Sequence, residues 1–254
     1  MAAHQAILLF LAGALAGAIN AVAGGGSFIS FPTLLFTGVP PVPANATNTF
    51  ALWVGIAASG GAYRSRLNVS LRVLVPLVLT SIGGGFLGAL LLIHTPAQTF
   101  LRVIPWLMLA TTLLFAFGRN LTSVMRGDMS SQAGNAALFG ASVFELFVAI
   151  YGGYFGGGIG IMNLAMFAAL GMTDIHAMNA LKVLLSATTN GVATFTFVLT
   201  GAVLWPQAIV MTAGAILGGY FSAHYAQKLP EVWIRAFIIS IGVGMTAYFF
   251  VRYH

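Results

Sequence analysis

The sequence predicts an all-α polytopic membrane protein: an inverted repeat of two halves, each with a broken, re-entrant helix plus three transmembrane helices. Of the 254 residues, 59% are hydrophobic and 6% charged, whereas a soluble domain carries about a quarter charged residues. The apolar residues gather into runs of bilayer-spanning length. Two glycine triplets, Gly24-Gly25-Gly26 and Gly156-Gly157-Gly158, interrupt that pattern at corresponding places.

Taken in order, spans are expected near Gln5–Val22, Thr47–Ala62, Val73–Ile93, Val103–Gly118, Ala136–Phe155, Ala177–Leu199, Gln207–Ala226 and Ala236–Val251. The first run has no positive flank and no small-residue cleavage pattern, so it reads as a retained helix rather than a signal peptide. Two pieces, Phe28–Phe36 and Ile161–Leu170, are too short to cross alone and suit half-helices. Each follows a glycine triplet, where the chain leaves helical geometry without a Cβ penalty. The cations fix orientation, because cytoplasmic loops collect Lys and Arg. Arg64, Arg66 and Arg72, then Arg119 and Arg126, then Lys228 and Arg235 mark three cytoplasmic loops, which leaves both termini outside. The +6 net charge is thereby accounted for without nucleic acid, and the lack of cysteine excludes disulfides and thiolate chemistry.

An internal repeat organises the chain. The glycine triplets match at a shift of 132, and from Asn45 onward the shift settles at 134: Asn45 with Asn179, Ala46 with Ala180, Gly84 with Gly218, Gly85 with Gly219, Pro96 with Pro230. Residues 1–118 and 136–254 are the two repeats and 119–135 a cytoplasmic linker. The arginine-rich loop after the second span of the first half matches Thr200–Pro206, which has no basic residue. Equivalent loops therefore face opposite sides, the mark of an inverted repeat, whose site lies near the midplane between the halves.

A broken helix is tolerated in hydrocarbon only where it is buried in protein or lines a cavity. Gly24, Gly25, Gly26 and Ser27, with Gly156, Gly157 and Gly158, thus locate a cavity where freed amides and half-helix N-termini would receive an anion. Tight packing explains Gly84, Gly85, Gly88, Gly218 and Gly219 better than binding does. The next helix of each half starts with matching polar residues: Asn45 and Asn48 in the first, Asn179 and Lys182 in the second. A spacing of three puts each pair on one helix face. Asn45 and Asn179 either cap their helices or contact a ligand. Lys182, among apolar neighbours, is the most pointed residue: it supplies a cation to an anionic substrate, carries a coupling proton, or snorkels to the interface. Asn20, Ser186, Thr189 and Asn190 are weaker lining candidates. Glu145 stands within an apolar span as a coupling proton acceptor or the partner of a basic residue. Asp174 and His176 flank the Lys182 helix as gating candidates. Trp53, Trp106, Trp205 and Trp233 are expected as interfacial anchors or packing residues.

The stretch AGAINAVAGGGSFISFPTLLFTGVPPVPANATNTFALWVG (16–55) and its second copy YGGYFGGGIGIMNLAMFAALGMTDIHAMNALKVLL (151–185) resemble the sulfite exporter TauE/SafE family, also called the toluenesulfonate uptake permease family. The similarity spans both halves. It implies a carrier of sulfite, sulfonates or other small organosulfur anions, often by export, in the bacterial inner membrane. Ile159 stands where Ser27 does and Lys182 where Asn48 does, so the two halves are expected to contribute unequally.

These readings give a secondary transporter working by alternating access, with an anion channel or an uptake permease for another small carboxylate or oxyanion as the alternative. No Walker-type sequence is present, so energy would come from a gradient, with proton coupling one possibility. No HExxH, GxSxG or grouped metal-ligand set supports an enzyme, a cofactor or a metal site. The expected partners are a small anionic substrate and the lipid bilayer, with no nucleic acid; assembly as a homodimer is left open.

Overall fold

The computed structural model describes residues 1–22, 25–63, 69–124, 134–225 and 231–253. Gly24, Arg64, Arg66, Arg126 and Lys228 lie outside the described residues, as do the side chains of Arg119 and Trp233. The described residues form ten helices and no strand: α1 (Ala3–Val22), α2 (Ser27–Phe36), α3 (Pro41–Tyr63), α4 (Leu71–His94), α5 (Ala97–Val124), α6 (Asn135–Tyr154), α7 (Ile159–Ala169), α8 (Ile175–Leu199), α9 (Trp205–Tyr225) and α10 (Glu231–Tyr253). Six of them, α1, α4, α5, α6, α8 and α10, are long and apolar enough to cross a membrane. α3 and α9 match them in length but carry more polar residues, among them Asn45, Thr47, Asn48 and Thr49. The outer faces present large apolar side chains such as Leu8, Leu11, Phe86, Phe139, Phe147, Phe195 and Phe221, a surface that suits lipid rather than water.

Several helices outrun the expected spans: α5 begins at Ala97 rather than Val103 and α10 at Glu231 rather than Ala236, and two further differences have a plain cause. α3 begins at Pro41, ahead of the expected Thr47. Pro41 and Pro43 fall in its first turn, where no N–H is needed. α5 continues past Gly118 to Val124, since 119–124 contains neither proline nor glycine to stop it.

The half-helices α2 and α7 close in the same manner. Val39 N donates to Leu34 O and Gly38 N to Leu35 O; Met172 N donates to Phe167 O and Gly171 N to Ala168 O. Both ends are Schellman turns with a left-handed glycine.

Packing follows the repeat. α1 runs along α9 as α6 runs along α4, and α3 crosses α9 as α8 crosses α4. α2 lies against α1, α3 and α10, and α7 against α6, α8 and α5, while α3 meets α8 and α5 meets α10. The register agrees in detail. A Cβ on Gly218 would lie 1.8 Å from Ala14 O, and one on Gly84 would lie 2.7 Å from Leu146 O. Gly84 and Gly218 differ by 134, Ala14 and Leu146 by 132, the shifts present in the sequence. These glycines bring helix backbones into contact, the close approach small residues permit in membranes.

The halves are stitched through α3. Asn45 Nδ2 donates to Tyr154 O at 2.9 Å, Leu204 N donates to Thr47 Oγ1 at 3.0 Å, and Trp53 Nε1 donates to Ala187 O at 2.9 Å. An aromatic core completes the join: Phe31 of α2 packs on Phe100, Phe155 and Phe249, with ring centroids 5.9 to 6.4 Å apart.

Candidate functional site

Both helix breaks lie against one turn of α5. A Cβ on Gly25 would meet the Phe115 ring at 2.8 Å, and Cβ atoms on Gly157 and Gly158 would meet the Thr111 side chain at 3.1 to 3.2 Å. Thr111 and Phe115 are successive positions on one helix face. Gly25, Gly156 and Gly158 take positive φ values of 93°, 84° and 78°, which an L side chain adopts only with strain. The chain therefore breaks where glycine makes the turn cheap, and α5 supports both breaks.

The first break is closed by its own residues. Gly26 N donates to Asn20 Oδ1 at 3.0 Å, and Phe28, Ile29 and Ser30 donate their backbone N–H groups to Gly25 and Gly26 carbonyls. Asn48 comes in from α3 with its amide engaged at both ends: Nδ2 donates to Ser27 Oγ at 3.2 Å and Oδ1 accepts from Ser30 Oγ at 2.5 Å. Ser30 and Asn48 are buried. The Asn48 amide and the hydroxyls of Ser27 and Ser30 are thus taken up by one another.

The second break is built differently. Gly156 N reaches Tyr151 O only at 3.5 Å, while Ile161 and Met162 donate to Gly158 O. Among the described residues no hydrogen bond reaches the amide nitrogens of Gly157, Gly158, Ile159 or Gly160. Such open donors are what a helix N-terminus offers to an anion. Ile159 and Met162 occupy the places of Ser27 and Ser30, so α7 has no hydroxyl to engage its neighbour on α8. That neighbour is Lys182. Its stem passes so close to Gly160 that a Cβ there would lie 3.2 Å from Lys182 Cδ. Its ammonium donates to Asn179 Oδ1 at 3.0 Å, which leaves two of three N–H donors for another acceptor.

The other sequence-singled residues fall as follows. Asn45 and Asn179 sit about a turn inside α3 and α8, so neither caps its own helix. Asn45 instead holds a carbonyl at the end of α6, and Asp174 is the cap of α8, accepting from His176 N at 2.8 Å. Asp174 and His176 are exposed. Glu145 is fully buried in α6, and Ser81 Oγ of α4 donates to its Oε1 at 2.5 Å; this hydroxyl, not a basic residue, is its hydrogen-bond partner. Trp53 is a packing residue within the bundle, its ring over Gly191. Asn190, near Gly156, donates to Ser186 O.

Sequence reasoning missed four polar residues here, Thr111, Tyr151, Asn163 and Ser30. Thr111 Oγ1 lies 2.6 Å from Tyr151 Oη and 3.5 Å from Gly157 O. Asn163, one turn into α7, is buried with its Oδ1 unpartnered. Ser30 was legible in principle, since its spacing of three from Ser27 puts both hydroxyls on one face of the half-helix.

Comparison with known proteins places this geometry. The family model described as sulfite exporter TauE/SafE matches residues 9–249. The chain belongs to the TauE/SafE family. Similar members include a "Probable membrane transporter protein" of Haemophilus influenzae, 33% identical over 241 residues, covering 94% of this chain and 92% of that one. "Probable membrane transporter protein ORF9" of a Sinorhizobium species is 29% identical, covering 96% and 92%. "Probable membrane transporter protein YfcA" of Escherichia coli K12 is 28% identical, covering 94% and 87%. No solved structure matches the chain. This TauE/SafE member is thus a multi-pass membrane transporter, and its two glycine breaks lie inside the matched region.

Proposed function

We propose that the chain is a secondary transporter for a small sulfur-containing anion such as sulfite or a sulfonate, exporting it across the bacterial inner membrane by alternating access. The carrying observation is the asymmetry of the two breaks. Among the described residues, the second leaves the amides of Gly157 to Gly160 without partners and sets the Lys182 stem against Gly160, so an anion entering there gains charge-assisted hydrogen bonds worth about 1.5–3 kcal/mol each. Gly156, Gly157, Gly158, Asn179 and Lys182 form the binding half. Gly24, Gly25, Gly26, Ser27, Asn45 and Asn48 form the holding half, in which the Gly26 amide and the side chains of Ser27, Asn45 and Asn48 are engaged in keeping α2 and α6 in place. Residues 1–118 and 136–254 act as inverted halves, and rocking between them exposes the site to either side in turn. Asp174 and His176, at the start of the Lys182 helix, stand at one mouth.

A thermal-shift screen of purified protein against sulfite, thiosulfate, sulfate, sulfoacetate and aromatic sulfonates tests the reading. A ligand that binds only the folded state raises Tm, the more so the further its concentration exceeds Kd. At least one sulfur oxyanion should stabilise the wild type and fail to stabilise Lys182→Ala. Stabilisation by small carboxylates alone would replace the substrate class, and equal stabilisation of both proteins would remove Lys182 from the site.

A further inference from the structure

We propose that Glu145 and Ser81 form the proton-binding site that couples transport to a pH gradient; this rests on the transporter reading above and adds to it the coupling ion and its place. Glu145 lies midway along α6 and is fully buried. Its Oε1 meets Ser81 Oγ, and among the described residues its Oε2 has no partner. A carboxylate in such a place, with one hydrogen bond and no counter-charge, costs several kcal/mol. A neutral acid fits it: Ser81 Oγ still donates to Oε1, and no charge is left buried without a partner. This conformation is the proton-loaded one.

The titratable groups on the helices around it do not supply a counter-charge. On α4, Arg72 bonds Asn135 at the start of α6, and His94 sits at the opposite end against Leu90 O. α7 carries no titratable side chain. On α8, His176 is exposed at the helix start and the Lys182 ammonium is bonded to Asn179. On α6 itself, Tyr151 faces Thr111 and Tyr154 faces Thr95.

The repeat shows that the helix contact does not need this pair. By the two shifts, Glu145 corresponds to Gly13 of α1 and Ser81 to Ala215 of α9. There the same crossing is closed by backbone alone: a Cβ on Gly13 would lie 2.3 Å from Met211 O, and one on Gly17 would lie 2.1 Å from Ala215 O. The α4–α6 crossing, with one helix from each half, pairs an acid with a hydroxyl where the equivalent α1–α9 crossing has glycine and alanine. Packing alone gives no reason for that exchange. Loss of the proton leaves a charge that only water can solvate, so the ionised state favours parting of α4 and α6, and reprotonation favours closure. The step is a plain acid dissociation, the proton passing to and from water on whichever side the opened crossing faces.

Two readouts test this. In the infrared spectrum of purified protein, the carbonyl stretch of a protonated acid should be present near neutral pH, fade reversibly in alkali, and be missing from Glu145→Gln. Ser81→Ala keeps the acid and should shift the band. Absence of the band, persistence in Glu145→Gln, no shift in Ser81→Ala, or a band that never titrates would each overturn the proposal. In proteoliposomes, counterflow of labelled methanesulfonate, whose charge does not change with pH, should survive in Glu145→Gln, while its several-fold stimulation by an imposed pH gradient should be lost. Stimulation retained in Glu145→Gln would overturn the coupling role. If neither protein exchanged any sulfonate or sulfite, the transporter reading would fail while the infrared titration still decided the proton site.

Discussion

At the scale of single residues, Asn48 and Lys182 show how one position serves two ends. They occupy matching places in the repeat, yet Asn48 meets two hydroxyls on its half-helix and Lys182 meets none. Ser30→Ala removes one of those hydroxyls and strands Asn48 Oδ1, so unfolding monitored by denaturant or heat should show a loss of about 1–2 kcal/mol. A Ser30→Ala protein as stable as wild type would mean that the first break is not held by this network. Lys182 was legible from sequence because an ionisable residue in an apolar stretch stands out on its own. Which break keeps open amides was not legible: that depends on Asn20 reaching Gly26 and on Ser30 reaching Asn48 across turns whose geometry composition does not specify. Thr111 and Tyr151, forty residues apart, carried no signal at all, since hydroxyls in membrane helices are as often bonded to their own preceding turn.

At the scale of elements, the glycines divide by what a methyl group would meet. Gly218 abuts Ala14 O, whereas nothing lies within 4 Å of a Cβ on Gly140. Gly218→Ala should force α1 from α9 and lower Tm markedly, with poor recovery from membranes. Gly140→Ala, in an open helical position, should be neutral or stabilising by up to about 1 kcal/mol. Similar thermal stability in the two variants would contradict the packing assigned to the α1–α9 contact. Helix existence was readable along the whole chain, because apolar runs of bilayer length and glycine triplets act locally. Helix ends were less so. Pro41 and Pro43 look like a loop but sit where a helix tolerates proline, and α5 overran its expected stop because no residue there opposes it.

At the scale of the molecule, the repeat read from glycine, asparagine and proline matches is also the rule of assembly. α1 with α9 and α6 with α4 form two like pairs, joined through α3 on α8 and α5 on α10. This arrangement sets both breaks on α5, and it makes each half the scaffold for the other: Asn45 of the first holds the end of α6 just before the second break. Differences between the halves then carry function, since what is shared is sufficient for the fold. The lysine, the bare amides and the buried acid all belong to the second half. The most direct measurement is counterflow of labelled sulfite in proteoliposomes of wild type and Lys182→Ala, with Arg252→Ala as a control for loss of an exposed charge. Exchange should run in wild type and Arg252→Ala and fall about tenfold or more in Lys182→Ala, as loss of one charge-assisted contact of about 1.4 kcal/mol or more requires. Lys182→Ala exchanging sulfite as fast as wild type would contradict the assignment of the second break as the anion site.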